Sequence, residues 1–281
     1  MSSTIFESDL LFSEYISETH FRGLSVGYEL GTFRYDSLVE LIFDALPDFA
    51  LNHEEKNKYG IENSIRKIRQ AAKAVYSTDR YNKRGEFGEI LLHIILRDLY
   101  NTIPAISKIF YEDGPNEVVK GFDAVHVVAH EEELELWLGE VKFYDDIYSA
   151  IHDVVNELLN HTTANYLRNE FAFITNKIEN DWTHASKLKD LISGRRSLDK
   201  VFSAIRIPVL LTYDSKVVAN FSQESLEYVQ KLTKELVKNH NLFRRKQLPT
   251  TVDILLILLP LEFKATLTDK LHTKLKVWQS L

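Results

Sequence analysis

The sequence predicts an α/β fold, a mixed sheet flanked by helices with an N-terminal extension, and three observations carry that prediction. Two runs of strand-type residues, 125–128 and 134–138, flank an acidic break at residues 130–133 and read as a β-hairpin. Helical periodicity stands on either side of this hairpin, at residues 85–100 and 145–160. Beyond it, strand-like and helix-like segments alternate to the end of the chain, the pattern of α/β folds.

Composition bounds the function before any motif is read. With 281 residues the chain is long enough for one large core or two modest ones. A hydrophobic share of 44% against 27% charged residues describes a globular chain and excludes a disordered or fibrous one. No uncharged apolar run reaches the length a membrane helix needs, and the first residues carry acids where a signal peptide would carry bases, so neither a membrane span nor export is expected. The chain has no cysteine, which removes disulfides, thiolate metal sites and a cysteine nucleophile and fits a reducing, cytoplasmic setting. A net charge of −7 argues against general adhesion to nucleic acid; such contact needs a local basic patch or a partner that delivers the substrate.

In chain order, residues 1–60 form the N-terminal element, placed to pack on the core or to contact a partner, and residues 61–281 the main domain. Residues 34–51 read as a helix capped by Asp36 or Ser37 and stopped by Pro47. Residues 64–76 read as a helix with a basic face. From 64 to 84, seven bases (Arg66, Lys67, Arg69, Lys73, Arg80, Lys83 and Arg84) meet one acid, Asp79. A charged helix face is usually just solvated, yet in an acidic chain this local excess is the leading candidate for phosphate contact, with Arg66, Lys67, Arg69, Lys73, Lys83 and Arg84 as the candidate residues. Residues 85–100 form a core helix with Glu86 and Glu89 on one flank of its first turn, where a carboxylate also suits the helix dipole. After the hairpin, residues 145–160 are helical, 171–175 (FAFIT) strand, 185–193 helical, 207–213 strand, 223–238 a long amphipathic helix, 252–259 a buried strand and 268–278 a last helix.

The chemistry gathers at the hairpin's end. Strand side chains alternate, so Glu140 and Lys142 share a face with Leu134, Leu136 and Leu138 and end an apolar row in a polar pair. A turn near residues 131 and 132 places Asp123 opposite Glu140 or Val141. Adjacent carboxylates are costly without a cation, and a hard oxygen site of this kind suits Mg²⁺, with Mn²⁺ as the alternative. The reaction this points to is attack of metal-activated water on a phosphodiester. His126 and His130, about 13 Å apart along a strand and on the other face, do not form a metal site. Trp137 is expected in the core, Phe143 and Tyr144 chiefly so, and His152 and Asn156 on the following helix in packing or solvent.

These residues resemble a known family. A helix bearing Gly85-x-x-x-Glu89, then Gly121-Phe122-Asp123, then Gly139-Glu140-Val141-Lys142, is similar to the PD-(D/E)XK nuclease superfamily; the set RGEFGEILLH, GFDAVH and LWLGEVKFY more narrowly resembles the HamA family, nuclease subunits of Hachiman antiphage defence systems. The resemblance implies a restriction-endonuclease-like core. It implies Asp123 and Glu140 as metal ligands completed by the Val141 carbonyl, Lys142 as the group orienting the water, and Glu89, or less readily Glu86, as a supporting acid. It further implies DNA as substrate and a HamB-like helicase subunit as partner. Phe122 departs from the pattern, standing where the superfamily's name places proline. Two other readings stay open: a non-catalytic nuclease-fold subunit that binds a helicase partner or nucleic acid, and a hydrolase of other substrates using paired carboxylates, which leaves Lys142 without a role. No phosphate-binding loop and no nucleophile elbow occurs.

Overall fold

The computed structural model describes residues 12–76, 85–106, 121–131, 133–248 and 250–281. Nine strands are described: β1 (Ser13–Glu18), β2 (Phe21–Ser25), β3 (Tyr28–Glu29), β4 (Thr32–Phe33), β5 (Ile103–Ile106), β6 (Ala124–Ala129), β7 (Leu134–Phe143), β8 (Ile205–Asp214) and β9 (Asp253–Leu261). Seven form one mixed sheet in the order β1-β2-β9-β8-β7-β6-β5, in which β2, β9, β8 and β7 run parallel and the pairs at both edges run antiparallel. The parallel centre explains the near-continuous apolar runs of β8 and β9, since both faces there are covered by helices.

One layer contains α1 (Tyr35–Ala50), α3 (Ser64–Val75), α4 (Glu86–Tyr100) and α11 (Lys264–Ser280). The short helix α2 (His53–Asn57) links α1 to α3. On the other face lie α5 (Ile147–His161), against β7 and β8, and α10 (Leu226–Arg244), against β1 and β2. Between them in sequence come α6 (Ala164–Lys177), α7 (Ala185–Leu191), α8 (Leu198–Phe202) and α9 (Lys216–Ala219).

The expected hairpin is present, with Ala124 opposite Gly139 and Ala129 opposite Leu134. Two expectations are corrected. Residues 171–175 are not a strand; they lie inside α6, where Leu167, Phe171 and Ile174 are buried at helical spacing and the Thr163 hydroxyl caps the first turn by accepting the Tyr166 N–H. Strand-type residues follow the helix there because a cap and a one-sided apolar stripe outweigh intrinsic preference. Pro47 does not end α1: the helix runs on to Ala50, with the Leu51 N–H bonded to the Pro47 carbonyl, held by burial of Phe49, Ala50 and Leu51. The sequence of residues 1–60 offers one element, the helix at 34–51. Their described part contributes β1 and β2 to the main sheet and joins a single hydrophobic core that extends from Phe12 to Leu275.

A buried polar chain ties α1 to the hairpin. The Thr102 hydroxyl lies 2.7 Å from His126 Nδ1, His126 Nε2 lies 3.2 Å from His93 Nδ1, and His93 Nε2 lies 2.9 Å from Asp48 Oδ2. With both imidazoles neutral, each has one N–H and one acceptor, so a single direction from Thr102 through His126 and His93 to Asp48 satisfies every atom. Burial pushes His93 down, against the pull of Asp48, and pushes His126 well down. Burial alone would raise Asp48, but the hydrogen bond from His93 and the ion pair with Lys56 outweigh it and hold the carboxyl far below its usual range; Arg97 also contacts it at 3.4 Å.

Below the unfolded histidine value of about 6.5, the unfolded chain binds protons that the native His93 and His126 refuse, so stability falls with pH by up to about 1.4 kcal/mol per unit per histidine; below about 3.9 the contribution of ionised Asp48 is lost as well. Urea midpoints measured between pH 7.5 and 5 should therefore fall, and in His126→Leu the slope should be shallower by about one proton.

Candidate functional site

β7 presents two faces with opposite tasks. Its odd-numbered side receives α4 at close range: a Cβ on Gly139 would lie 2.8 Å from Leu92 Cδ2 and 3.0 Å from Ala124 Cβ, and a Cβ on Gly88 would lie 2.6 Å from Phe143 Cβ. Leu134, Leu136 and Leu138 fill the even-numbered side until Glu140, itself only 1% exposed, and then Lys142.

Asp123 enters from the end of β6. Its N–H donates to the Gly139 carbonyl at 2.7 Å, which puts it opposite Glu140, as the turn position required. Past this point the edge of β7 is met by a side chain, because the Asp123 carboxylate accepts the Val141 N–H at 2.9 Å. Asp123, Glu140 and Lys142 are thus brought to one strand end.

Helix α5 runs back along β7 and supplies three contacts that sequence reasoning missed. The Tyr144 hydroxyl donates to Asp153 at 2.9 Å, Lys142 Nζ donates to Glu157, and His161 Nδ1 bonds Glu140. Phe122 packs edge-on to His161 at 5.2 Å between ring centroids, and Tyr166 from α6 stacks on His161 at 4.2 Å. Glu170, also from α6, is buried close by.

Charge at this site is dominated by carboxylates. Burial opposes the charged Lys142, but Glu157, with Asp123 and Glu140 behind it, outweighs burial and holds the ammonium above the usual lysine value. Burial lowers His161 although Glu157, Glu170 and Asp123 pull the other way, which favours a neutral ring whose Nδ1–H donates to Glu140. The Tyr166 hydroxyl is raised by burial and then by Glu170, Glu140, Glu157 and Asp123.

Glu89 is half-buried in the first turn of α4, next to Gly88, whose neighbours on β7 are Val141 and Phe143. In α3, Lys67 turns inward to Glu55 at 3.1 Å, Arg69 is half-buried, and Arg66 and Lys73 are exposed. Lys83 and Arg84, with Asp79 and Arg80, lie outside the described residues. α3 packs on α1 and α11, away from the α5 layer; its end approaches α4 through Tyr76 and Phe87, 5.7 Å between centroids. His126 belongs to the buried chain, His152 pairs with Asn156 at 3.1 Å on the exposed side of α5, Trp137 is buried, and Phe143 lies beneath Lys264 Nζ at 5.1 Å.

Among the described residues no three His, Cys, Asp or Glu side chains form a group able to hold a metal ion. The Asp123 and Glu140 pair is nevertheless of the kind that suits Mg²⁺, which is commonly held by one or two carboxylates and keeps several waters. A protein cage is not what these residues offer.

The family model for HamA matches residues 3–275, nearly the whole chain. The chain belongs to the HamA family. HamA is a component of Hachiman defence, so membership implies a partner from the same system. No curated protein matches the chain in sequence. No helix among the described residues of this HamA-family chain is long and apolar enough to cross a membrane.

The close approach of α4 yields a stability prediction. In Gly88→Ala the new methyl meets the Cβ of Phe143, an atom fixed to the strand, and denaturant unfolding should show a loss of about 1–3 kcal/mol. Gly139→Ala meets first the movable end of Leu92 and should cost less.

Proposed function

We propose that this HamA-family chain is a Mg²⁺-dependent deoxyribonuclease, the effector of its defence complex, on a PD-(D/E)XK-type core. One observation carries the reading: a lysine held charged beside two carboxylates, Asp123 and Glu140, at the end of a sheet strand. Phosphodiester hydrolysis needs a positioned water, neutralisation of developing negative charge and stabilisation of the leaving oxygen. Asp123 and Glu140 would hold Mg²⁺ here, with the Val141 carbonyl and Glu89 as the further donors that the superfamily pattern implies. The ion supplies charge and lowers the pKa of a bound water.

The chain's own residues perform the rest. Val141 fixes the Asp123 carboxylate through its backbone N–H, so this acid does not have to be ordered when the substrate arrives. The Lys142 ammonium is a compact charge with three donors, suited to orienting a water and to facing a phosphate oxygen. Arg66 and Lys73, exposed on α3, are the described members of the basic segment offered to the DNA backbone away from the cleavage point, and Lys83 and Arg84 extend the series in sequence. A net charge of −7 leaves delivery of DNA to the partner, which we take to be the HamB-like helicase.

The non-catalytic reading draws on the lack of a three-ligand group among the described residues. Retention of Asp123, Glu140 and Lys142 together favours the enzyme.

The deciding experiment incubates plasmid DNA and Mg²⁺ with the purified chain, alone and with its helicase partner. Cleavage should appear in at least one arm, vanish with EDTA and with Glu140→Ala, and fall by about 10²- to 10⁴-fold in Lys142→Ala. Unaltered cleavage by Lys142→Ala overturns the mechanism, and no cleavage in either arm favours the non-catalytic subunit.

A further inference from the structure

The contacts from α5 to β7 share one period. Asp153, Glu157 and His161 are spaced by four residues on a helix, a rise of about 6 Å per step. Glu140 and Lys142 on β7, and Tyr144 just past its end, are spaced by two, a rise of about 6.6 Å per step in extended chain. Because α5 runs antiparallel to β7, the two series meet rung by rung: Tyr144 with Asp153, Lys142 with Glu157, Glu140 with His161.

We propose that α5 is the positioning helix of the site, with Glu157 a positioning residue for Lys142 and His161 one for Glu140; this rests on the reading of Asp123, Glu140 and Lys142 as the phosphodiester-cleaving residues. An isolated surface pair would contribute little, but the two groups to be positioned, Glu140 and Lys142, are withdrawn from the surface. Glu140 is 1% exposed and the Lys142 side chain 12%, so each polar group needs a bonded partner where it stands. His161 is clamped from behind by the Tyr166 stack and by Phe122, which fixes the ring that in turn fixes the carboxylate. Glu157, whose side chain is 40% exposed, lies nearer solvent and draws the long, flexible lysine chain toward it. The ladder removes rotamer freedom from both groups, as supporting bonds do for metal ligands and catalytic groups generally.

The test uses the full chain in the complex that cleaves, with Mn²⁺ as the probe ion. His161→Ala should raise the Mn²⁺ Kd, read by electron paramagnetic resonance, by about 10- to 100-fold, and His161→Asn, which keeps an N–H near the Nδ1 position, should recover much of the loss. Glu157→Ala should lower kcat by about 10- to 100-fold while leaving KM and the Mn²⁺ Kd within about threefold of wild type, with Glu157→Gln intermediate. Thermal unfolding of each variant separates positioning from folding: losses that follow the melting temperature and are not recovered by His161→Asn or Glu157→Gln overturn the proposal, as do wild-type Kd in His161→Ala and wild-type kcat in Glu157→Ala. A wild-type protein that binds Mn²⁺ but cleaves no DNA defeats the nuclease reading, and the His161 arm then decides the ladder by itself. Cleavage by wild type with Mn²⁺ affinity unchanged in His161→Ala defeats the ladder and leaves the nuclease reading in place.

Discussion

The alternation of side chains along β7 is the constraint on which the rest of the molecule depends. Every second residue from Trp137 to Phe143 must accept a helix, and the residues between them must carry a leucine row that ends in Glu140 and Lys142. Both demands are met because Gly139 and Gly88 remove the side chains that would hold α4 away from the strand. A helix packed that closely on one face leaves the other face for α5. A register slip of one residue would exchange the two sets, burying Trp137 where Leu136 now sits and turning the site into the α4 interface.

The N-terminal region is part of this arrangement. β2 pairs with β9, one strand in from the β1 edge of the sheet, and Asp48 of α1 reaches through His93 to His126 on β6, three residues from Asp123. A chain of neutral imidazoles ending on an ionised carboxylate is fully bonded in one direction only, so it specifies how α1, α4 and β6 sit relative to one another. The hairpin that presents Asp123 is thereby braced from the side opposite its apolar row.

Much of the architecture is readable from residue pattern. The hairpin, its register, the buried strands β8 and β9, and most helices follow from period and turn chemistry, because each is a local property of a few consecutive residues. α6 was misread since FAFIT contains strand-type residues whose helical burial depends on a cap eight residues earlier, at Thr163. β1 and β2 were missed for the opposite reason: short and partly polar, they become strands through pairing with β9 and with each other.

The candidate site divides in the same way. Asp123, Glu140 and Lys142 could be named, and set facing one another, from alternation and the position of a turn, since hairpin partners are close in sequence. Glu157, His161, Tyr166 and Glu170 could not, although Asp153, Glu157 and His161 stand four apart in plain view. Helical spacing says that three side chains share a face; it does not say what that face meets. The meeting with β7 arises from the antiparallel return of α5 across the sheet, and from a helix step and a strand step of nearly equal length. Chemistry of the acids and the lysine therefore belongs to the local sequence, whereas the partners that hold them in place belong to packing between segments, which no short stretch of sequence contains.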